Sequence, residues 1–237
     1  MNEHRLASRL FFVSSALLAV LVALQLGTGV TQQWFEGYHP LDEYAARLRA
    51  QGAWLRAIVA IDDVFVAAYA SAVVMLGLVL RRAGSPLWGL VAALGVAGGL
   101  LDLEENHHML AMLSTVQRAG SLDAANVEHR MLFSSLKWLV SPIAYCFFGL
   151  GFDSRTRAEH TVRLFPWLWM LPLTAAVLAV DDPAWGRPLA FLRLLSVVGG
   201  FVAIGLVMRA RALNGAQRPP HPYEVRGGVE SGSGAPA

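Results

Sequence analysis

Charge is what this sequence has least of. Of its 237 residues only 15% are Asp, Glu, Lys or Arg, whereas 55% are hydrophobic and the mean hydropathy is +0.48. A soluble domain carries about a quarter charged residues, so an ordinary water-soluble globule is disfavoured from the outset. Cysteine is almost missing as well. The single Cys146 lies inside an apolar run, which excludes an intrachain disulfide framework and a CxxC metal signature. A basic stripe interleaved with aromatics is also lacking: the arginines sit at the ends of apolar runs, and nucleic acid is not an expected partner.

What the chain does have is uncharged runs of membrane-spanning length, the pattern of a multi-pass helical membrane protein. The first, 10–26, follows Arg5 and Arg9 and has no convincing small-x-small cleavage site, so it reads as a retained span and not a signal peptide. Further spans are expected over 57–80, from Pro86 into the acidic stretch at 102, and over 131–152, 164–180 and 188–208. The fold class is therefore all-α: a single domain over 1–209, a bundle of six transmembrane helices, with a disordered cytoplasmic tail over 210–237 rich in Gly, Pro, Ser and Arg. Trp34, Phe35 and Tyr38 mark a membrane interface. After Pro40, the residues Leu41, Tyr44, Leu48 and Leu55 share one face and predict a short amphipathic helix over 40–55 on the outer surface. Gly95, Gly98 and Gly99 let the third helix approach its neighbours closely. Gly120 is a helix stop and Ser121 the N-cap of the next helix, Pro166 and Pro172 kink the fifth span, and Pro188 opens the sixth.

Six spans place both termini on one side. With that side cytoplasmic, the inner segments hold eleven arginines, Arg218 and Arg226 of the tail included, and the outer segments six, Arg130 among them. The excess favours both termini inside.

The informative residues are the charges that remain inside the apolar runs. Asp62 and Asp63 begin the second span, Asp102 to Asn106 end the third, Lys137 is about two turns into the fourth, Arg193 is similarly placed in the sixth, and Asp181 and Asp182 cap the fifth. All fall in the outer third. Asp102, Glu105 and Asn106 lie at i, i+3 and i+4 on one helix face, as do Ser134, Lys137 and Ser141, and Phe65 and Tyr69 share the face of Asp62. Polar groups are costly in lipid and mark functional sites by default. Glu104, His107 and His108 read as interfacial groups facing water and headgroups. Asp102, Glu105 and Lys137 are the candidate catalytic residues, and Asp62, Asp63, Tyr69, Asn106 and Arg193 the candidate substrate-binding ones. The geometry of a hairpin turning at Gly120 and Ser121 puts Asp102 and Lys137 level, so the two are expected to pair, with Glu105 or Asn106 as a second partner.

Asp62-Asp63-x-Phe65, Asp102-x-x-Glu105-Asn106 and the intramembrane Lys137-Trp138 resemble a group of uncharacterised bacterial multi-pass membrane proteins, over spans two to four. The resemblance implies a polytopic protein of a bacterial cytoplasmic (inner) membrane and supports the position of the site. It implies no activity, and the His107-His108 pair and the long acidic cluster are not part of its pattern.

Several chemistries are compatible with these residues. Glu105 and His108, as Glu-x-x-His on one face, are weak candidate metal ligands. A nucleophilic Lys137 would need a neutral amine among carboxylates, which is unfavourable. Five carboxylates in the layer (Asp62, Asp63, Asp102, Glu104 and Glu105) outnumber Lys137 and Arg193, so protons or a cationic group must balance them if all point inward. The leading expectation is a binding site or enzyme for a small cationic or lipid-derived ligand entering from the outer leaflet. A proton- or cation-coupled transporter is the second reading, and a structural or accessory subunit the third. No cofactor or oligomeric state is implied.

Overall fold

Every element of the computed structural model is helical among the residues it describes, 2–37, 39–180 and 183–216. Local signals explain where the helices start and stop. α1 (Glu3–Thr28) is capped by Asn2, whose side chain accepts from Arg5 N, and ends at Gly29 with φ +69°. A 3₁₀ turn (Gln32–Glu36) leads into α2 (Leu41–Arg82), which has Asp42 and Glu43 in its first turn and Arg81 and Arg82 in its last, both favourable to the helix dipole. α3 (Trp88–Ala119) ends at Gly120, φ +77°, a left-handed position that glycine adopts without cost. α4 (Ala124–Gly151) is capped by Asp123 and not by Ser121, the Asp123 carboxylate accepting from Ala125 N.

α5 (Arg157–Phe165) opens with a capping box between Thr156 and Glu159. It passes through a π-helical turn (Pro166–Met170) into α6 (Leu171–Ala179), so the expected kink at the prolines takes the form of a locally widened helix. α7 (Pro183–Ala216) begins before Pro188, which lies inside it, and runs past residue 209 into the stretch expected to be tail. The interface role expected of Tyr38, the caps expected at Asp181 and Asp182, and the tail from 217 onward lie outside the described residues.

Five of these helical segments are long and apolar enough to cross a membrane: α1, α2, α4, α5 continued through α6, and α7. α3 is long as well, but carries the acidic cluster. The helices pack in the order α7, α1, α2, α3, α4, then α5–α6, with thinner contacts closing the ring between α6 and α7. Glycines make the tightest crossings: a Cβ at Gly95 would meet Val73, one at Gly99 would meet Ala70, and one at Gly98 would lie 3.0 Å from Ser141 Oγ. α3 is thereby seated against α2 on one side and α4 on the other.

The expected separate helix over 40–55 does not form. Those residues are the first turns of α2, a continuous helix of 42 residues, about 63 Å long at 1.5 Å per residue. Gly52, the one weak point in this stretch, is where Leu113 of α3 packs against the backbone, so the helix gains a neighbour there and not a break. Arg49 and Arg56 extend the pairing, donating to Gly120 O and Gln117 Oε1.

One end of the bundle gathers Glu3 with Arg82, and Arg211 with Glu159. Both ends of the chain as described therefore lie at that end, and the 29–40 segment and the α3–α4 turn at the other.

Candidate functional site

α3 supplies the centre of the polar layer because its side chains recur every three or four residues on the face turned toward α2 and α4. Asp102 and Glu105 point at α4, where Lys137 Nζ lies 2.8 Å from Asp102 Oδ1 and 2.5 Å from Glu105 Oε2. The pairing expected from hairpin geometry is present, with Glu105 as the second partner. Asn106 belongs to a different branch: its amide nitrogen donates to Asp62 Oδ2 at 2.8 Å and Asp63 Oδ1 at 3.0 Å, and its oxygen accepts from Gln32. Tyr69 donates to Asp102 Oδ2 at 3.0 Å. Two neighbouring clusters thus form, one of Asp62, Asp63 and Asn106 with Gln32 and one of Tyr69, Asp102, Lys137 and Glu105, and Asp62, Tyr69, Asp102 and Lys137 line the same cavity.

Arg193 joins the same region by another route. It pairs with Glu36 at 3.3 Å, and its guanidinium lies 3.5 Å above the Trp138 ring. Arginine suits this place because a planar, weakly hydrated cation can stack and hydrogen-bond at once.

Three participants escape a reading of the sequence. Arg130, counted among the outer-side charges, is fully buried, 0% exposed; it donates to Glu105 Oε1 at 2.8 Å and to the carbonyl of Phe35. Its signal was spacing: Arg130 precedes Lys137 by seven residues, two helical turns, and so extends the Ser134–Lys137 face. Glu36 and Gln32 belong to the 3₁₀ turn, and no helical period announces them. Lys137 also has a compositional signal: among nineteen Lys and Arg residues it is the only lysine.

The 3₁₀ turn closes one end of the site. Phe35, expected at the membrane interface, is instead fully buried, because Tyr44 and Arg130 both donate to its carbonyl and its ring packs edge-on against Tyr44. Trp34 stacks on His39 with Arg47 above its ring, which pins the same segment from outside.

Beneath this cover is a cavity of about 100 Å³, several times the ~10–15 Å³ that one water needs. Asp62, Asp102, Glu36, Lys137 and Arg193 contribute to its wall, together with the rings of Phe65, Tyr69, Trp138, Tyr145 and Phe201. Lys137 and Arg193 are already engaged with carboxylates. Asp62 is not: it is 8% exposed, its bonded partner is the neutral Asn106 amide, and no Lys or Arg among the described residues lies within 4 Å of it. Over the layer, the buried or half-buried carboxylates Glu36, Asp62, Asp63, Asp102 and Glu105 face the cations Arg130, Lys137 and Arg193.

Toward the surface, Glu104 and His107 are exposed, as expected of interfacial groups, with His107 3.6 Å from Asp63 and Glu104 3.9 Å from His129. His108 is half-buried and contacts the carbonyl of Asn126 through Nε2. The Glu105/His108 metal pair does not assemble, since Glu105 is held by Arg130 and Lys137 while His108 turns to α4. Among the described residues no three His, Cys, Asp or Glu side chains converge as metal ligands.

No family model, curated protein or solved structure matches the chain.

Proposed function

We propose that the protein crosses a bacterial cytoplasmic membrane six times, α3 included, with both termini in the cytoplasm, and that its outer-half cavity binds the ammonium group of a small cationic or lipid-derived molecule. One observation carries the reading: Asp62 stands in the cavity wall without a cationic partner among the described residues, beside aromatic rings whose negative faces attract an ammonium. A carboxylate in that place is costly unless a counter-charge or a proton arrives.

The span assignment has separate support. α2 is about twice as long as the ~30 Å hydrocarbon layer, so about half of it projects, along with the end of α3. The projecting halves pair through Tyr44, Leu48, Leu55, Met112, Leu113 and Val116, all buried, an apolar core of the kind that water, and not lipid, drives together. The arginine-rich end, with Arg81, Arg82, Arg155 and Arg211, is then cytoplasmic.

In this reading Asp102, Glu105 and Lys137 are a closed ion network that shapes the site, with Tyr69 and Arg130 completing it, and Asp62 meets the ligand. The transporter reading has less support, because the neighbouring cavity toward the cytoplasmic end is lined mainly by apolar groups.

Tetramethylammonium tests the proposal, since its charge does not titrate. Purified protein in uncharged detergent is titrated with tetramethylammonium chloride against sodium chloride. At ten times Kd a single site adds about 1.4 kcal/mol, a rise of about 3–5 °C in melting temperature for a chain of this size. Asp62→Asn should abolish the rise while still melting cooperatively. No rise in the wild type, or the same rise in Asp62→Asn, would refute the reading.

A further inference from the structure

The polar cavity shares a wall with another of opposite character. A second cavity of about 420 Å³ shares Tyr145, Met170, Ser196, Val197 and Phe201 with it and lies between α7 and α5 with the π-helical turn, reaching Thr161 and Val162. Its volume is within the ~300–1,000 Å³ of small-molecule sites. Apart from Thr161, Ser196 and the shared tyrosine, its wall is apolar, with Phe165, Leu195, Ala203 and Ile204 contributing.

The fold keeps this space open for identifiable reasons. α7 leans mainly on α1, leaving only a thin contact with α6. The π-helical turn, with Pro166 at its start, forms the facing wall at this height. Gly199 and Gly200 remove side chains from the facing stretch of α7, and a Cβ at Gly199 would meet no atom within 4 Å. Leu195 and Trp169 at the rim are exposed, on the flank where lipid would lie.

Resting on the ammonium-site reading above, we propose that the ligand is a single-chain cationic amphiphile that bridges the two cavities past their shared wall: its ammonium head lies beside Asp62 in the polar cavity, and its alkyl chain lies between α7 and α5 with the π-helical turn in the apolar one. The polarity of the two adjoining cavities changes from one to the other in the same order as along such a molecule. A small cation alone would leave the apolar cavity empty, and a plain hydrocarbon chain would leave Asp62 without a counter-charge. Tyr145 and Phe201, common to both walls, set the level of the head–chain junction. The Tyr145 hydroxyl, on a side chain 4% exposed, has no hydrogen-bond partner among the described residues, and it stands at this junction.

Photolabelling tests this with the full chain. Dodecyltrimethylammonium carrying a diazirine at mid-chain is irradiated with the purified protein in uncharged detergent, and labelled peptides are mapped by mass spectrometry. Labelling is expected within 162–170 and 195–204, and excess tetramethylammonium should suppress it by occupying the head site. Asp62→Asn should lower it about tenfold or more, as loss of a buried charge partner does. Gly199→Leu, which fills the apolar cavity, should lose it while melting as the wild type does without probe. If tetramethylammonium stabilises the protein through Asp62 but does not displace the label, the chain site is ordinary lipid contact and this inference fails alone. If tetramethylammonium does not stabilise the protein at all, the underlying ammonium reading fails with it.

Discussion

Removing Lys137 should strand one particular carboxylate. Lys137 bridges Asp102 at 2.8 Å and Glu105 at 2.5 Å, and Glu105 has Arg130 in reserve at 2.8 Å. In Lys137→Met, Glu105 therefore keeps a cation, while Asp102 keeps only the Tyr69 hydroxyl. The side chains of Lys137 and Asp102 are 14% and 11% exposed, so the small values of exposed ion pairs do not apply. Breaking a buried pair from one side costs about 3–5 kcal/mol, because the remaining charge is uncompensated. Adding Asp102→Asn removes that charge and leaves Tyr69 an amide to bond. The double variant should thus be more stable than Lys137→Met, with a coupling of about 2–3 kcal/mol, at the upper end for contacting residues. Asp102→Asn alone should be the mildest of the three, since Lys137 retains Glu105. Unfolding in mixed micelles of rising SDS fraction, followed by the fluorescence of the seven tryptophans, gives all four corners of the cycle. A double variant no more stable than Lys137→Met would refute the reasoning. So would a Lys137→Met cost below about 1 kcal/mol, the range of exposed pairs.

Arg130→Met should destabilise by about 1.5–3 kcal/mol for its charged hydrogen bonds. Because Arg130 also grips the Phe35 carbonyl, protease cleavage within 29–40 should rise in this variant and not in Lys137→Met; equal cleavage in both would detach Arg130 from the cover of the site. Gly149→Ala would place a Cβ 2.5 Å from the backbone oxygen of Arg163, which cannot swing aside, and overpacking of this kind costs about 1–3 kcal/mol. Gly199→Ala, with open space at Cβ, should leave the melting temperature unchanged, and a similar loss in both variants would contradict the packing of α4 on α5. Topology reporters fused at Gly84 and Ser121 should report opposite sides, with Ser121 periplasmic; a cytoplasmic Ser121 would reverse the orientation and the outer-leaflet placement of the cavity.

The parts of this molecule that obey a period were readable from its sequence, and the parts that depend on a loop were not. A helix repeats every 3.6 residues, so the shared faces of Asp102, Glu105 and Asn106, and of Ser134 and Lys137, follow from position alone, and a hairpin turn at Gly120 converts distance along the chain into height. The Lys137–Asp102 contact required nothing else. The start of α2 is not legible, because a polar face next to a proline reads as a surface helix, whereas its apolar face is covered by the C-terminal end of α3, an event of tertiary packing. The burial of Arg130 is hidden for a related reason. Charge counting treats a cation at the mouth of a span as solvated, yet whether Arg130 meets water depends on where the 32–36 turn folds, and that turn has no period to read. The same turn brings Glu36 to Arg193 and Gln32 to Asn106. The cavity therefore owes its polar floor to helical phase and its closure to a segment held by Arg130 and Tyr44. Under the proposed binding reading, a ligand approaching past the 32–36 turn would meet that segment, whereas one approaching between α6 and α7, where contact is thin, would not. The lateral route leaves the Arg130–Glu105–Lys137–Asp102 chain intact during binding, which is the arrangement expected if those four residues hold the shape of the site while Asp62 meets the ligand.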